Sequence, residues 1–121
     1  MTATKLCLVD DIEEPGSRGF RFRSGSELHA VFVVRHAGRL RGYVNLCPHA
    51  RSPLDWVADR FLDYDKNHIL CGTHGARFAI EDGACLGGPC DGRGLTPIKL
   101  QVEDGVIYWL DEVGFTRPEN S

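Results

Sequence analysis

The sequence predicts an all-β fold of antiparallel strands, and its C-terminal part gives the strongest indication. Apolar residues alternate with polar ones over 98–103, after which Asp104-Gly105 supplies a two-residue turn and an apolar run returns at 106–110. Alternation of this kind is typical of a half-buried strand, and an Asp-Gly turn favours a hairpin. No stretch of the chain shows helical apolar periodicity beyond about two turns.

Four further segments extend the predicted sheet. Residues 29–35 form a β-branched run, and residues 39–45 alternate polar with apolar side chains after the turn-like His36-Ala37-Gly38. Two such runs joined by a short turn indicate a second hairpin. Short strands are also predicted at 5–9 and 19–23. We therefore expect an antiparallel β-sandwich or barrel as the base of the fold.

Residues 46–93 interrupt this strand pattern and predict an inserted, loop-bearing lobe. Turn-forming dipeptides such as Cys47-Pro48 and Gly88-Pro89 recur there. Proline and glycine are the residues that most often interrupt regular structure. With 121 residues, the chain is expected to form a single domain at 1–110 that contains this lobe, followed by a loosely held polar tail at 111–121.

The charge balance and the hydropathy exclude several classes of partner. Lysine and arginine number 14 against 17 acidic residues, a formal net charge of −3, and the basic residues are scattered along the chain. Nucleic-acid binding needs a basic patch or stripe, so we expect no nucleic-acid partner. No apolar run is long enough to span a membrane, and the N-terminal residues carry no secretion signal. We predict a cytoplasmic protein with no membrane association.

Five cysteines in such a chain indicate metal or redox chemistry. The cytosol keeps thiols reduced, and an odd number leaves one unpaired, so a disulfide framework explains them poorly. Four side chains stand out inside the predicted lobe. Cys47 and His49 form a C-x-H motif, and Cys71 and His74 form a C-x-x-H motif further along the chain.

Two thiolates and two imidazoles fit either a single tetrahedral zinc ion or a [2Fe–2S] cluster with mixed ligands. Ligand type alone leaves both possibilities open. Spacing favours the cluster, because each loop contributes one cysteine and one histidine. A zinc finger of the two-cysteine, two-histidine type has a wider cysteine pair, followed by a helix that carries both histidines.

The segments Cys47-Pro48-His49 and 71–78, followed by Gly83 and Gly88-Pro89, resemble the Rieske proteins, and the resemblance covers essentially the whole chain. It implies an antiparallel β base, a cluster-binding lobe and a proline-containing covering loop at 88–90. It also implies one [2Fe–2S] cluster, with the cysteines on the inner iron and the histidines on the outer iron that accepts the electron. The implied ligands are Cys47, His49, Cys71 and His74.

The chain departs from the respiratory-complex members of this family in four places. Those members carry an extra cysteine in each loop, joined as a disulfide, whereas the corresponding residues here look like Ser52 and Thr73. They also carry a serine and a tyrosine where this chain has Ala76 and Phe78. Fewer hydrogen bonds to sulfur stabilise an added electron less, so we expect a midpoint in the lower part of the Rieske range of roughly −150 to +300 mV.

The resemblance to the ferredoxins of aromatic-ring dioxygenase systems implies a carrier that passes single electrons between redox protein partners. These partners would be a reductase and an oxygenase or a related acceptor. No nucleophile–base pair, nucleotide loop or second metal site is visible, so we predict no catalytic residue and no enzymatic activity of the chain itself. Two alternatives stay open: a small subunit fixed in a larger reductase or oxidase, and a zinc-stabilised interaction module without a redox role.

Other candidate residues receive structural interpretations. Cys85 and Cys90 are interpreted as packed thiols rather than as a disulfide, and Cys7 as a core or edge thiol of a strand. The acidic segment 55–65 is expected to be core packing with a solvated face; a partner surface anchored by its aromatic residues is the alternative. Those aromatic residues are Trp56, Phe61 and Tyr64. The histidines to which no role is assigned are His29, His36 and His68.

Overall fold

The computed structural model describes residues 2–24, 27–47, 54–55, 59–71, 75–87 and 94–111, and the regular secondary structure in these segments is almost entirely β-strand. The strands are β1 (Thr2–Leu8), β2 (Gly16–Ser24), β3 (Glu27–His36), β4 (Arg39–Val44), β5 (Ile69–Leu70), β6 (Arg77–Phe78), β7 (Cys85–Gly87), β8 (Pro97–Glu103) and β9 (Val106–Asp111). A single turn of 3₁₀ helix covers Val9–Asp11. None of these segments contains a helix with the length and apolar character needed to cross a membrane.

Two antiparallel sheets make up the described part of the chain. The larger one, called the base here, has the strand order β1-β9-β8-β4-β3-β2. The smaller one has the order β5-β6-β7 and lies in the segment between β4 and β8, so it is called the lobe. This arrangement confirms the predicted all-β fold, with an antiparallel base and an inserted small unit.

Both predicted hairpins of the base are present, and their turns have the expected backbone chemistry. Ala37 and Gly38 join β3 to β4 with φ angles of 54° and 77°. Asp104 and Gly105 join β8 to β9 with φ angles of 53° and 77°. Positive φ at both central residues is the signature of a type I′ turn, whose twist matches that of the flanking strands.

Buried side chains form two clusters, one inside the base and one between the base and the lobe. In the base cluster, Cys7, Ile12, Val33 and Ile107 pack together, which confirms Cys7 as a core thiol. The second cluster joins one face of β3 and β4 to the lobe, and includes Phe32, Tyr43, Phe61, Ile69 and Phe78. Successive residues of a strand point to opposite faces, so β3 serves both clusters: Val33 faces one and Phe32 the other.

Several contacts attach the lobe to the base, and an aromatic stack and a buried hydrogen bond are two of them. The rings of Phe61 and Phe32 stack with their centroids 4.2 Å apart and an interplanar angle of 3°. The hydroxyl of Tyr43 in β4 donates to the carbonyl oxygen of Ile80 at 2.6 Å. Since Phe61 is fully buried, its predicted role in core packing is confirmed. Tyr64 is 99% exposed, and Trp56 lies outside the described residues.

Candidate metal centre

The first loop of the predicted centre leaves the base at the end of β4. Cys47 comes three residues after that strand ends, and its side chain is completely buried in the cluster between base and lobe. Its thiol is not in a disulfide. His49, the second predicted ligand of this loop, lies outside the described residues, which resume at Leu54.

Asn45 connects the two ends of this loop, a role that the sequence analysis did not predict. Its side-chain oxygen accepts a hydrogen bond from the backbone N–H of Leu54 at 2.8 Å, and its side-chain nitrogen donates to Asp55 Oδ1 at 3.0 Å. Its own N–H donates to the carbonyl of Ala30 in β3 at 2.9 Å. Asn45 therefore ties both ends of the loop that carries Cys47 to the base. An asparagine at a strand end just before a C-x-H motif was the only available signal.

The second loop begins at Cys71, directly after β5. The N–H of Cys71 donates to the carbonyl of Ala76, and the N–H of Gly75 donates to the carbonyl of Cys71, both at 2.9 Å. Gly75 has a φ of 73°, a left-handed conformation that glycine adopts without steric cost. These bonds close the loop at its two ends. His74 lies between them, outside the described residues.

The structure brings the two predicted cysteine ligands into one buried cluster. Cys47 and Cys71 are both completely buried and neither forms a disulfide. No group of three potential metal ligands occurs in the ranges that the structure covers, which leave out both predicted histidines. Two buried thiols at the starts of two short loops are a donor set that fits an iron–sulfur cluster.

The surroundings of the second loop are apolar, as the sequence comparison with respiratory members implied. Ala76 and Phe78 are both completely buried. Neither side chain offers a hydroxyl to a neighbouring sulfur. Ala76 and Phe78 therefore add buried apolar surface near Cys71 and contribute no side-chain hydrogen bond of their own.

The interpretation of Cys85 as a packed thiol is wrong, because Cys85 is disulfide-bonded. Its half-buried side chain packs against the cluster that contains Cys47 and Cys71. Cys90 lies outside the described residues, as does the predicted covering loop at 88–90. The interpretation rested on the general scarcity of disulfides in the cytosol, and this general rule did not hold for Cys85.

The remaining histidines take different positions. Nδ1 of His68 lies 3.0 Å from Asp63 Oδ2, and Asp63 Oδ1 accepts from the N–H groups of Asn67 and His68 at 3.0 and 3.2 Å. Burial raises the pKa of Asp63, but these hydrogen bonds outweigh it, so that the pKa is lowered overall. His68 therefore orders the turn between Asp63 and β5. His29 and His36 are half-buried in β3.

Comparison with known proteins agrees with this geometry. The family model of the Rieske [2Fe-2S] domain matches residues 2–104. No curated protein matches the sequence. Among solved structures, the ferredoxin of carbazole 1,9a-dioxygenase from Nocardioides aromaticivorans IC177 is similar over 90% of this chain and 97% of its own, with 22% identity and a TM-score of 0.70.

Two other solved structures share the fold. A Sphingomonas yanoikuyae B1 ferredoxin is 24% identical, with 88% of this chain and 95% of its own covered and a TM-score of 0.65. A quaternary ammonium Rieske monooxygenase is 18% identical over 98% of this chain but only 35% of its own, with a TM-score of 0.71. The base, the lobe and the match to the family model lead to one conclusion. The chain belongs to the Rieske [2Fe–2S] family, whose cofactor is one Rieske-type [2Fe–2S] cluster.

Proposed function

We propose that this protein is an electron carrier of the ferredoxin type, with Cys47, His49, Cys71 and His74 as the ligands of its cluster. The observation that carries the proposal is the convergence of Cys47 and Cys71 in one buried cluster, each at the start of a short loop that also contains one of the two histidines. When bound, the cluster supplies a reversible one-electron couple.

The described residues support the assignment by what they do around the two loops. Asn45 holds the first loop to the base, and the paired backbone bonds between Cys71, Gly75 and Ala76 hold the second. The completely buried side chain of Phe78 shields this side from water. Ligands whose loops are fixed in this way would need little rearrangement during electron transfer.

Further parts of the proposal rest on the family and on the solved relatives. The partners would be a reductase and an oxygenase or a related acceptor, since the Nocardioides aromaticivorans ferredoxin named above is that of a carbazole 1,9a-dioxygenase. We place the domain at 1–110, with its lobe at about 46–93 and a tail at 111–121. The chain would act as a carrier in the cytoplasm, without a catalytic site of its own.

Iron and acid-labile sulfide analysis with EPR after dithionite reduction tests the ligand set. We expect two irons and two sulfides per chain, and loss of the Rieske EPR signal in Cys47→Ser, Cys71→Ser, His49→Asn and His74→Asn. The matched controls are Cys7→Ser and His36→Asn, which remove a core thiol and a half-buried imidazole outside the lobe and should keep the signal. One zinc per chain without iron or sulfide would contradict the proposal.

A reconstituted electron-transfer assay tests the carrier role. The reduced protein should pass its electron to an oxygenase component and be reduced again by a reductase component, and the protein alone should convert no substrate. Size-exclusion chromatography of a native extract separates a transient carrier, which elutes as a small protein, from a fixed subunit, which elutes within a large assembly. Elution only in a large assembly would contradict the carrier role and favour the subunit.

A further inference from the structure

A groove separates the β3–β4 hairpin from the lobe at the end of β4 that is opposite to Cys47. Its volume is about 620 Å³, which falls within the range of small-molecule sites. Arg39 and Arg41 of β4 line one side, and Asn67, Ile80, Glu81 and Leu86 line the other. We call it the hairpin groove. Because it lies at the far end of β4, it is separate from the two loops of the metal centre.

The hairpin groove carries an excess of positive charge that the described residues do not neutralise. Arg39 and Arg41 stand two positions apart in β4, so their side chains leave the same face of the sheet. Within the described part of the chain, neither guanidinium takes part in a salt bridge or hydrogen bond. Glu81 is the one carboxylate among the lining residues. The lining also contains the imidazoles of His36 and His68. Among its guanidinium and carboxylate groups, two arginines against one glutamate leave one unmatched positive charge.

The walls of the hairpin groove are held at a set separation. Tyr43 follows Arg41 on the same face of β4, and its hydroxyl donates to the carbonyl of Ile80 on the opposite wall at 2.6 Å. Asn67 is held by the turn in which Asp63 Oδ1 accepts its N–H at 3.0 Å. A site whose walls are already connected loses little conformational entropy when a ligand enters.

Apolar surface lies beside the arginines. Ile80 is almost completely buried, whereas Leu86 is 56% exposed at the edge of the groove. Ala37 and Ala79 add small apolar side chains to the lining. A ligand that matches this groove has an apolar body next to a group that accepts hydrogen bonds from guanidinium, for which a carboxylate is well suited.

We propose that the hairpin groove binds an organic monocarboxylate, with the carboxylate on Arg39 and Arg41 and the apolar body against Ile80 and Leu86. The single unmatched charge favours a monoanion. A dianion such as a phosphate monoester would bring a second negative charge close to the Glu81 carboxylate, and a monoanion avoids this repulsion. This binding site is additional to the electron-carrier role and does not depend on it.

Isothermal titration calorimetry on the protein with its cluster tests the proposal, with benzoate as the probe. Benzamide has nearly the same shape without the charge, and inorganic phosphate has the charge without the apolar body. We expect benzoate to bind, and Arg39→Gln and Arg41→Gln each to weaken it by roughly tenfold or more. The matched control is Arg21→Gln, which removes an exposed arginine of β2 outside the groove and should leave benzoate binding unchanged.

The outcomes separate cleanly. Binding of benzoate that is equal in Arg39→Gln, Arg41→Gln and Arg21→Gln would overturn the site, and so would absence of binding up to about 10 mM. If benzamide bound as tightly as benzoate, the role of the arginines would be overturned. If phosphate bound as tightly as benzoate, the choice of an organic carboxylate would be overturned. The EPR signal of the cluster shows that each variant is folded, so a loss of binding with the signal retained supports the proposal.

Discussion

The base and the lobe of this protein keep their structure by different means. In the base, β2 and β3 pair without interruption from Gly16 with Arg35 to Ser24 with Glu27, which provides a long ladder of backbone hydrogen bonds. In the lobe, β5 and β6 have two residues each and β7 has three. A sheet of this size has few backbone hydrogen bonds between its strands. Its order therefore depends on side-chain packing, on hydrogen bonds to the base and on the metal centre.

The predicted ligand loops therefore adjoin the described sheet with the shorter strands. Segments with few backbone bonds open locally at a lower free energy than the global unfolding of the domain. Bound metal offsets this, because ligands that converge on one centre connect segments that are far apart in the chain. We expect the lobe to respond to changes that leave the base nearly unaffected.

Removal of the cluster should have the largest effect. After removal, amide hydrogen exchange in β5, β6 and β7 should accelerate by roughly a hundredfold or more, since about 3 kcal/mol of local stability corresponds to that factor. Exchange in β2 and β3 should change far less. Hydrogen exchange followed by mass spectrometry on both forms is the measurement. Equal acceleration in base and lobe would show that the two regions unfold as one unit.

Phe61→Ala tests the packing of the lobe on the base. Loss of the stacked, fully buried ring should lower the free energy of unfolding by about 3–5 kcal/mol. The matched control is Val33→Ala in the base cluster, which should cost less because a smaller side chain is removed. Denaturation with guanidinium gives the two values. Hydrogen exchange should rise mainly in the lobe for Phe61→Ala and in both regions for Val33→Ala.

Tyr43→Phe tests the hydrogen bond between the two regions. The substitution leaves the carbonyl of Ile80 without its partner, and we expect a loss of about 1–2 kcal/mol in the free energy of unfolding. Burial raises the pKa of Tyr43 to about 12, an effect that Arg41 opposes and that Asp82 and Glu81 reinforce.

The same variant has a pH signature. An unfolded tyrosine ionises near pH 10, whereas Tyr43 in the folded protein stays neutral up to about pH 12. The contribution of the neutral Tyr43 side chain to the free energy of unfolding is therefore complete below pH 10. The free energy of unfolding falls as the pH rises between about 10 and 12, because the unfolded state then binds fewer protons than the folded state. In Tyr43→Phe this part of the pH dependence should disappear. An unchanged slope in this interval would contradict the assignment.

Ala76→Ser should have the smallest effect, and it is measured on the redox midpoint rather than on stability. A hydroxyl beside Cys71 can donate to sulfur and stabilise the added electron by about 1 kcal/mol, or roughly 40 mV for one electron. The midpoint from a redox titration should rise by this amount. Ala84→Ser, at an exposed position of the lobe, is the control and should leave the midpoint unchanged. A fall in Ala76→Ser would contradict the role given to the apolar surroundings.

The sequence was sufficient to predict the features that local chemistry decides. The Asp104-Gly105 and Ala37-Gly38 turns require positive φ, and their flanking alternation requires one buried face, so both hairpins could be derived without a structure. The resemblance to the Rieske proteins implied that Cys47 and Cys71 bind the inner iron, and the burial of both side chains agrees with this. Predicted features that lie outside the described residues, such as the two histidines, stay predictions.

Other features depend on contacts between residues far apart in the chain, and the sequence contained no signal that pairs them. Asn45 gains its role only because the chain returns at Leu54, and the stack of Phe61 on Phe32 requires the lobe to fold back on β3. Cys85 was misinterpreted because a general rule about cellular compartments was applied to a single residue, and no local sequence signal indicated that it is disulfide-bonded.

By itself, the sequence determined the strand pattern, the turn types and the identity of the candidate ligands, because these depend on side-chain periodicity, backbone φ preferences and donor chemistry within a few residues. Only the tertiary structure decided how the lobe is held on the base and where the hairpin groove forms. The reason is that hydrogen bonds such as Tyr43 to Ile80, and the unmatched charges of Arg39 and Arg41, arise when distant segments pack together.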